Sequence, residues 1–164
     1  MKRLLGFPNP VNEVAARLVA AGALIMSLLV AVGHQWWVLP ILAYGFVARV
    51  LTGPKLSPLG AIVTKVIVPR LRVEPKLVAG PPKRFAQGMG ATMSVGALIG
   101  YLAGSHSVPV VLTAMIAVAA TLESVFAFCL GCKVFALLMK VGIIPESVCA
   151  ECNDISARLA RASS

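Results

Sequence analysis

Four long apolar stretches, separated by short polar breaks, constrain the fold of this chain more than any other feature. They cover residues 14–32, 36–51, 85–103 and 108–128. A helix needs about 20 residues to cross a hydrocarbon core of roughly 30 Å, so the first, third and fourth stretches are long enough to span a bilayer. The second is shorter, but it begins with Trp36 and Trp37, which suit the headgroup zone, and Pro40 allows a kink. The pattern predicts an all-α, polytopic membrane protein with four transmembrane helices.

The composition agrees with this interpretation. Hydrophobic residues make up 59% of the 164 residues and charged residues only 13%, whereas a soluble domain usually carries about 25% charged residues. Mean hydropathy is +0.90. We therefore expect one transmembrane bundle over residues 1–144 and a cytoplasmic tail over residues 145–164.

A cleaved signal peptide is not expected, because Pro8 and Pro10 interrupt the segment after the first basic residues.

The positions of lysine and arginine predict the orientation in the membrane. Basic residues lie near the N-terminus, in the second connection and after the fourth apolar stretch, whereas the connections that contain His34 and His106 have none. Because basic residues are retained on the cytoplasmic side, both termini are predicted to be cytoplasmic. The net charge of +9 is then a topology signal, and no aromatic residues interleave with the second connection as a nucleic-acid module would require. We assign His34 and His106 no role.

The long second connection, residues 52–83, contains a helix signal of its own. Ser57 is a candidate N-cap followed by Pro58 at the first helical position, and apolar residues then recur on one face up to Pro69. This segment is predicted to be a short interfacial helix that ends at Pro69.

Two features inside the apolar stretches indicate helix packing. Gly96, Gly100 and Gly104 form a stripe that lets helices approach closely, either within the chain or between subunits of a homo-oligomer. Glu123 is the acidic residue within a predicted span, so it should face the bundle interior and pair with Arg17 or Arg49. We favour an ion pair that fixes helix register; the alternative is a proton acceptor for a nearby thiol.

The four cysteines form two Cys-x-x-Cys pairs, Cys129/Cys132 and Cys149/Cys152, with sixteen residues between the pairs. This spacing is typical of a four-thiolate zinc site, whereas a single such pair at a helix start is typical of a dithiol redox centre. Thiols on the cytoplasmic side are kept reduced, which disfavours a permanent structural disulfide. The tail is predicted to form a helix over residues 146–161. A turn near residues 142–144 would bring the two pairs together.

Four short motifs resemble a family of bacterial four-helix membrane proteins described only as a domain of unknown function. They are Asn-Glu at 12–13, Ser-Pro-Leu-Gly at 57–60, Arg-Phe-Ala-Gln at 84–87 and Phe-Cys-Leu-Gly-Cys at 128–132. The resemblance implies an integral protein of the bacterial cytoplasmic membrane, with a thioredoxin-like or sulfurtransferase partner. It covers most of residues 7–140 and gives no support to a role for Cys149/Cys152.

Two functions remain open from the sequence. One is thiol-disulfide redox or reactive-sulfur handling by the four cysteines, with Glu123 as proton acceptor. The other is a structural zinc site in which the same four thiolates, Cys129, Cys132, Cys149 and Cys152, bind the metal in a membrane scaffold or interaction protein.

Overall fold

A computed structural model describes residues 10–71, 74 and 76–145. This part of the chain is mostly helical, as the sequence predicts. Its helices are α1 (Glu13–Ala31), α2 (Val38–Thr52), α3 (Pro58–Ile62), α4 (Val68–Leu71), α5 (Gly80–Leu102), α6 (Ser107–Phe126) and α7 (Leu130–Lys140), with a π-helical turn, Val63–Ile67, between α3 and α4.

Helices α1, α2, α5 and α6 pack into a bundle, with α1 against α6 and α2 against α5. They correspond to the four apolar stretches, but two bounds differ substantially from the prediction. Helix α5 begins at Gly80 instead of residue 85, because Pro81 and Pro82 fill the first helical positions, where no backbone N–H is needed. Helix α6 ends at Phe126, since Ala127 adopts a left-handed conformation with φ 54° and caps the helix.

The bundle places apolar side chains on its outside and several small polar ones in its core. Exposed positions include Ile25, Ile41, Ile99 and Val118. The fully buried Thr113 donates its hydroxyl hydrogen to the Pro109 carbonyl at 2.6 Å, so its polarity is satisfied inside the helix. Among the described residues, α1 and α6 are long and apolar enough to cross a membrane. Helix α2 is apolar but shorter, and α5 is long enough but less apolar, so the spans predicted there stay predictions.

A two-residue antiparallel pairing that the sequence does not predict fixes the start of α1. Strand β1 (Val11–Asn12) pairs with β2 (Leu77–Val78). The Asn12 side chain accepts a hydrogen bond from the Val14 backbone at 2.9 Å and acts as the N-cap. Glu13 then forms an ion pair with Lys76 at 2.9 Å. The connection before α5 is therefore attached to the first helix.

The predicted interfacial segment does form a helix, but the helix ends at a different residue from the one predicted. The Ser57 hydroxyl accepts a hydrogen bond from the Gly60 backbone at 3.3 Å, and Pro58 occupies the first turn. The prediction that the helix stops at Pro69 is wrong, because α4 continues to Leu71. The π-helical turn directly before Pro69 changes the hydrogen-bond spacing where proline supplies no donor.

Two of the three glycines of the predicted stripe, Gly96 and Gly100, lie on α5 and are used within the chain, whereas Gly104 follows the helix with φ 87°. A Cβ at Gly100 would lie 2.6 Å from a methyl carbon of Val108, and one at Gly96 would lie 3.4 Å from Leu112, both on α6. These glycines let α5 and α6 approach closely. Assembly of subunits through the same stripe stays a prediction.

Helix α7 follows α6 after a turn of only three residues and packs back against the start of α5. The rings of Phe85 and Phe135 lie 5.6 Å apart between centroids, and Phe135 is buried with Ala79. The turn predicted near residues 142–144 is present, with Gly142 at φ 86°. The tail helix over residues 146–161 lies outside the described residues.

Candidate functional site

Helix α7 places the first cysteine pair at its N-terminus. Cys129 is the N-cap residue, and its Sγ accepts a hydrogen bond from the Cys132 backbone N–H at 3.3 Å. The two sulfurs are joined as a disulfide, with the Cα atoms 5.2 Å apart. Cys129 is only 9% exposed, whereas Cys132 is half-buried. The backbone donor and the helix dipole would both stabilise a thiolate at Cys129.

Gly131, between the two cysteines, lies directly against α5. A Cβ at this position would approach the Ala86 Cα to 2.6 Å, so a larger residue would push α7 away from α5. Ala86 belongs to the Arg-Phe-Ala-Gln motif at 84–87. The two motifs therefore form one contact, which sets the position of the disulfide relative to the bundle.

Glu123 is mostly buried and ion-paired, but its partner differs from the prediction. Its Oε1 accepts a hydrogen bond from Lys83 Nζ, and the two side chains are 13% and 9% exposed. The predicted pairing with Arg17 or Arg49 is wrong. Arg17 instead donates to the Ser124 carbonyl at 2.9 Å, where a cation favourably caps the end of α6.

Arg49 lies on the same level of the bundle, 4% exposed. Its Nε donates to the Gln87 side-chain oxygen at 2.9 Å and its Nη1 to the Ser57 hydroxyl at 3.4 Å, while the Phe46 ring centroid lies 4.4 Å from the guanidinium carbon. Nη2 has no hydrogen-bond partner among the described residues. We call Arg49, Lys83, Gln87 and Glu123 the charged cluster.

Two cavities adjoin the charged cluster. The first, of about 120 Å³, is lined by Arg49, Gln87, Glu123 and Cys129 among mostly apolar residues, and we call it the disulfide cavity. The second, of about 200 Å³, lies beside α1 and α3 and is lined by Arg49, Lys83 and Gln87. Arg49 and Gln87 therefore border both spaces. The chain reversal at Ala127 brings Cys129 into the same cavity as Glu123, which six residues of continuous helix would not guarantee.

The opposite end of the bundle carries an aromatic group. The rings of Trp36 and Tyr101 stack at 5.1 Å between centroids, and His34 and His106 lie 5.5 and 5.3 Å from Trp36. We call these four residues the aromatic cluster. Trp36 thus packs between helices in addition to any role at a membrane surface.

Sequence reasoning missed Lys83 and Gln87 as members of the site. The apolar pattern predicts that α5 starts at residue 85, which leaves Lys83 in the connection before it. The dipeptide Pro81-Pro82 is the signal that could have found it, since proline is favoured at the first helical position. A helix starting there places Lys83, Gln87 and Gly90 on one face.

The second cysteine pair, Cys149/Cys152, lies outside the described residues, so its distance from Cys132 stays a prediction. Within the described ranges, no three potential ligands of the His, Cys, Asp and Glu types form a group that could hold a metal ion. Cys129 and Cys132 supply two sulfurs, and a tetrathiolate zinc site needs four.

Comparison with known proteins gives a family but no activity. No curated protein and no solved structure matches the chain. The family described as a domain of unknown function (DUF4395) matches residues 11–140, which includes every described residue of the charged cluster and the Cys129/Cys132 pair. The chain belongs to this family.

Proposed function

We propose that this protein is an integral membrane thiol protein in which Cys129 and Cys132 cycle between dithiol and disulfide, in thiol redox or reactive-sulfur handling. The observation that carries this proposal is the placement of the pair. The sulfurs are within bonding reach at the start of α7, and Cys129 accepts a backbone N–H there. A Cys-x-x-Cys pair at a helix N-terminus is the arrangement that stabilises the thiolate required for exchange.

The different exposure of the two cysteines assigns their roles. A soluble thiol partner reaches the half-buried Cys132 more easily than the buried Cys129. Attack of the partner's thiolate on Cys132 Sγ forms a mixed disulfide and releases Cys129 as a thiolate, which the Cys132 N–H stabilises. A second thiol of the partner then displaces Cys132, so that two electrons reach the pair. A thioredoxin-like or sulfurtransferase protein is the partner that we propose.

Glu123 is the proposed proton acceptor for Cys129. Both residues line the disulfide cavity, so the carboxylate and the sulfur border one space, which is the arrangement that a proton acceptor needs. A purely structural ion pair would affect stability alone. Glu123→Gln should therefore slow alkylation of reduced Cys129 in folded protein at neutral pH, and an unchanged alkylation rate would reject this role.

A zinc site remains the second candidate, supported by the spacing of the two cysteine pairs. Metal analysis of the purified protein, combined with thiol titration before and after reduction, separates the two functions. If the pair is redox-active, the purified protein should contain no metal, and reduction should expose two additional thiols, those of Cys129 and Cys132. About one zinc per chain, lost when any of the four cysteines is changed to serine, would support the structural site and reject the redox proposal.

We further propose that α1, α2, α5 and α6 all span the bacterial cytoplasmic membrane, with both termini in the cytoplasm. The apolar outer surface and the basic residues near one end of the bundle support this arrangement. A cysteine introduced by Ser107→Cys should react with a membrane-impermeant maleimide in intact cells, whereas Cys149 should react only after permeabilisation. The reverse labelling pattern would reject the orientation.

A further inference from the structure

The charged cluster is not electrically balanced. It contains two cations, Arg49 and Lys83, and one carboxylate, Glu123, and all three side chains are largely buried. Arg17 and Arg84 are further cations that donate to the backbone carbonyls of Ser124 and Val50, so neither adds negative charge. A buried cation without a compensating charge is costly, so the cluster is suited to bind an anion.

Arg49 is the residue that would hold this anion. Gln87, Ser57 and the Phe46 ring hold three sides of its guanidinium group, which fixes the orientation before any ligand binds. Nη2 is buried and has no hydrogen-bond partner among the described residues, so one nitrogen of this cation is unsatisfied. Fixed guanidinium donors suit the oxygen atoms of an oxyanion.

The disulfide cavity suits a small ligand. Its volume of about 120 Å³ has room for several water-sized atoms. Arg49 and Cys129 line the same cavity, so an anion bound in it would border both residues. Glu123 also lines this cavity, and its pairing with Lys83 reduces its repulsion of an anion.

We propose that Arg49 binds a small sulfur oxyanion, sulfite or thiosulfate, and presents its nucleophilic sulfur to Cys129. This inference rests on the proposed disulfide chemistry of Cys129/Cys132. A lone pair on the nucleophilic sulfur, which is the central atom of sulfite or the terminal sulfur of thiosulfate, attacks Cys129 Sγ and forms a new S–S bond. The Cys129–Cys132 bond breaks, and Cys132 leaves as a thiolate with the bonding pair. The disulfide is the oxidant and the anion's sulfur is oxidised, so that no proton or further co-reactant is needed. A soluble partner and the anion thus attack opposite sulfurs of one disulfide.

Sulfate, which has the oxyanion shape but no nucleophilic sulfur, tests binding separately from the reaction. Calorimetry on oxidised full-length protein in detergent should detect sulfate binding, and Arg49→Lys should weaken it by roughly tenfold to a hundredfold, the equivalent of one charge-assisted hydrogen bond. Arg84→Lys is the matched control and should bind sulfate like the wild type, because Arg84 lines neither cavity. Equal affinity in the wild type and Arg49→Lys would overturn the proposal.

Sulfite tests the reaction in the unaltered protein. Peptide mass spectrometry after sulfite treatment should find one added SO₃ group on Cys129, and sulfate should slow this addition competitively. Addition to Cys132 instead, no addition, or addition that sulfate does not slow would overturn the inference even if Arg49→Lys fails to fold.

If a dithiol reduces the disulfide reversibly while sulfite does not react at Cys129, the proposed function stands and the anion site fails. If sulfate binds through Arg49 but no Cys129–Cys132 disulfide forms, the proposed function fails, and the sulfur chemistry inferred here fails with it.

Discussion

The two ends of the bundle are built from different interactions, although the same four helices form both. At one end, where α1 ends and α2 begins, Trp36 stacks on Tyr101 and contacts two histidines. At the other end, buried charges meet beside a disulfide, and a guanidinium donor has no described partner. Ring contacts join the helices at the aromatic end, whereas the charged end contains two cavities and a guanidinium nitrogen without a described hydrogen-bond partner.

This difference supports the proposal that the charged end carries the chemistry. Ring stacking and apolar burial stabilise a bundle at little electrostatic cost. Replacing a buried ion pair by apolar packing is often neutral or stabilising, so stability alone does not account for an ion pair beside a cysteine pair.

Breaking the buried ion pair should have the largest effect. Glu123→Ala leaves Lys83 charged and buried, and removing one partner of a buried pair costs about 3–5 kcal/mol. We expect a strongly lowered unfolding temperature in detergent. Glu13→Ala is the control: Glu13 is 13% exposed, like Glu123, but its partner Lys76 is 75% exposed, so its removal leaves no buried cation without a partner. The loss should be clearly smaller. Similar losses in both variants would show that burial of the charged cluster does not matter.

Moving α7 should have the next largest effect. Gly131→Ala forces a Cβ against Ala86, and overpacking of this kind costs about 1–3 kcal/mol. Because Cys129 moves with α7, its alkylation rate in reduced protein should also change. Gly88→Ala is the matched control on α5, where an added Cβ meets nothing within 4 Å; it should leave alkylation unchanged and raise helix stability by about 0.5–1 kcal/mol. An unaltered alkylation rate in Gly131→Ala would contradict the proposed role of the contact.

Changing the aromatic end should have the smallest effect. Trp36→Leu removes the stacking on Tyr101 but keeps an apolar side chain, so about 0.5–1.5 kcal/mol of unfolding free energy should be lost with the ring pair. The redox midpoint of Cys129/Cys132 should not change, because the aromatic cluster and the disulfide lie at opposite ends of the bundle. Thermal unfolding and thiol titration of the same sample test both statements. A shifted redox midpoint in Trp36→Leu would show that the ends are coupled.

The sequence predicts the helices better than it predicts the site. Apolar length was sufficient to find α1, α2, α5 and α6, and Ser57 and Pro58 were sufficient to find α3. The turn at Ala127 was missed because alanine carries no left-handed preference, so the conformation there depends on packing of α7. The partner of Glu123 was missed for a related reason: charge type does not identify which of several arginines and lysines reaches a buried carboxylate, and that depends on where α5 begins.

The most direct test of the account is a redox titration of Cys129/Cys132 in the Cys149→Ser/Cys152→Ser background, in membranes equilibrated with defined ratios of reduced and oxidised dithiothreitol. Alkylation and mass spectrometry measure the fraction of the disulfide at each potential. If Cys129 and Cys132 cycle between dithiol and disulfide, we expect a single reversible two-electron transition, with a slope of about 30 mV per tenfold change in the ratio of reduced to oxidised protein. A pair that stays fully reduced at every potential, or one that no thiol reductant can open in folded protein, would contradict it.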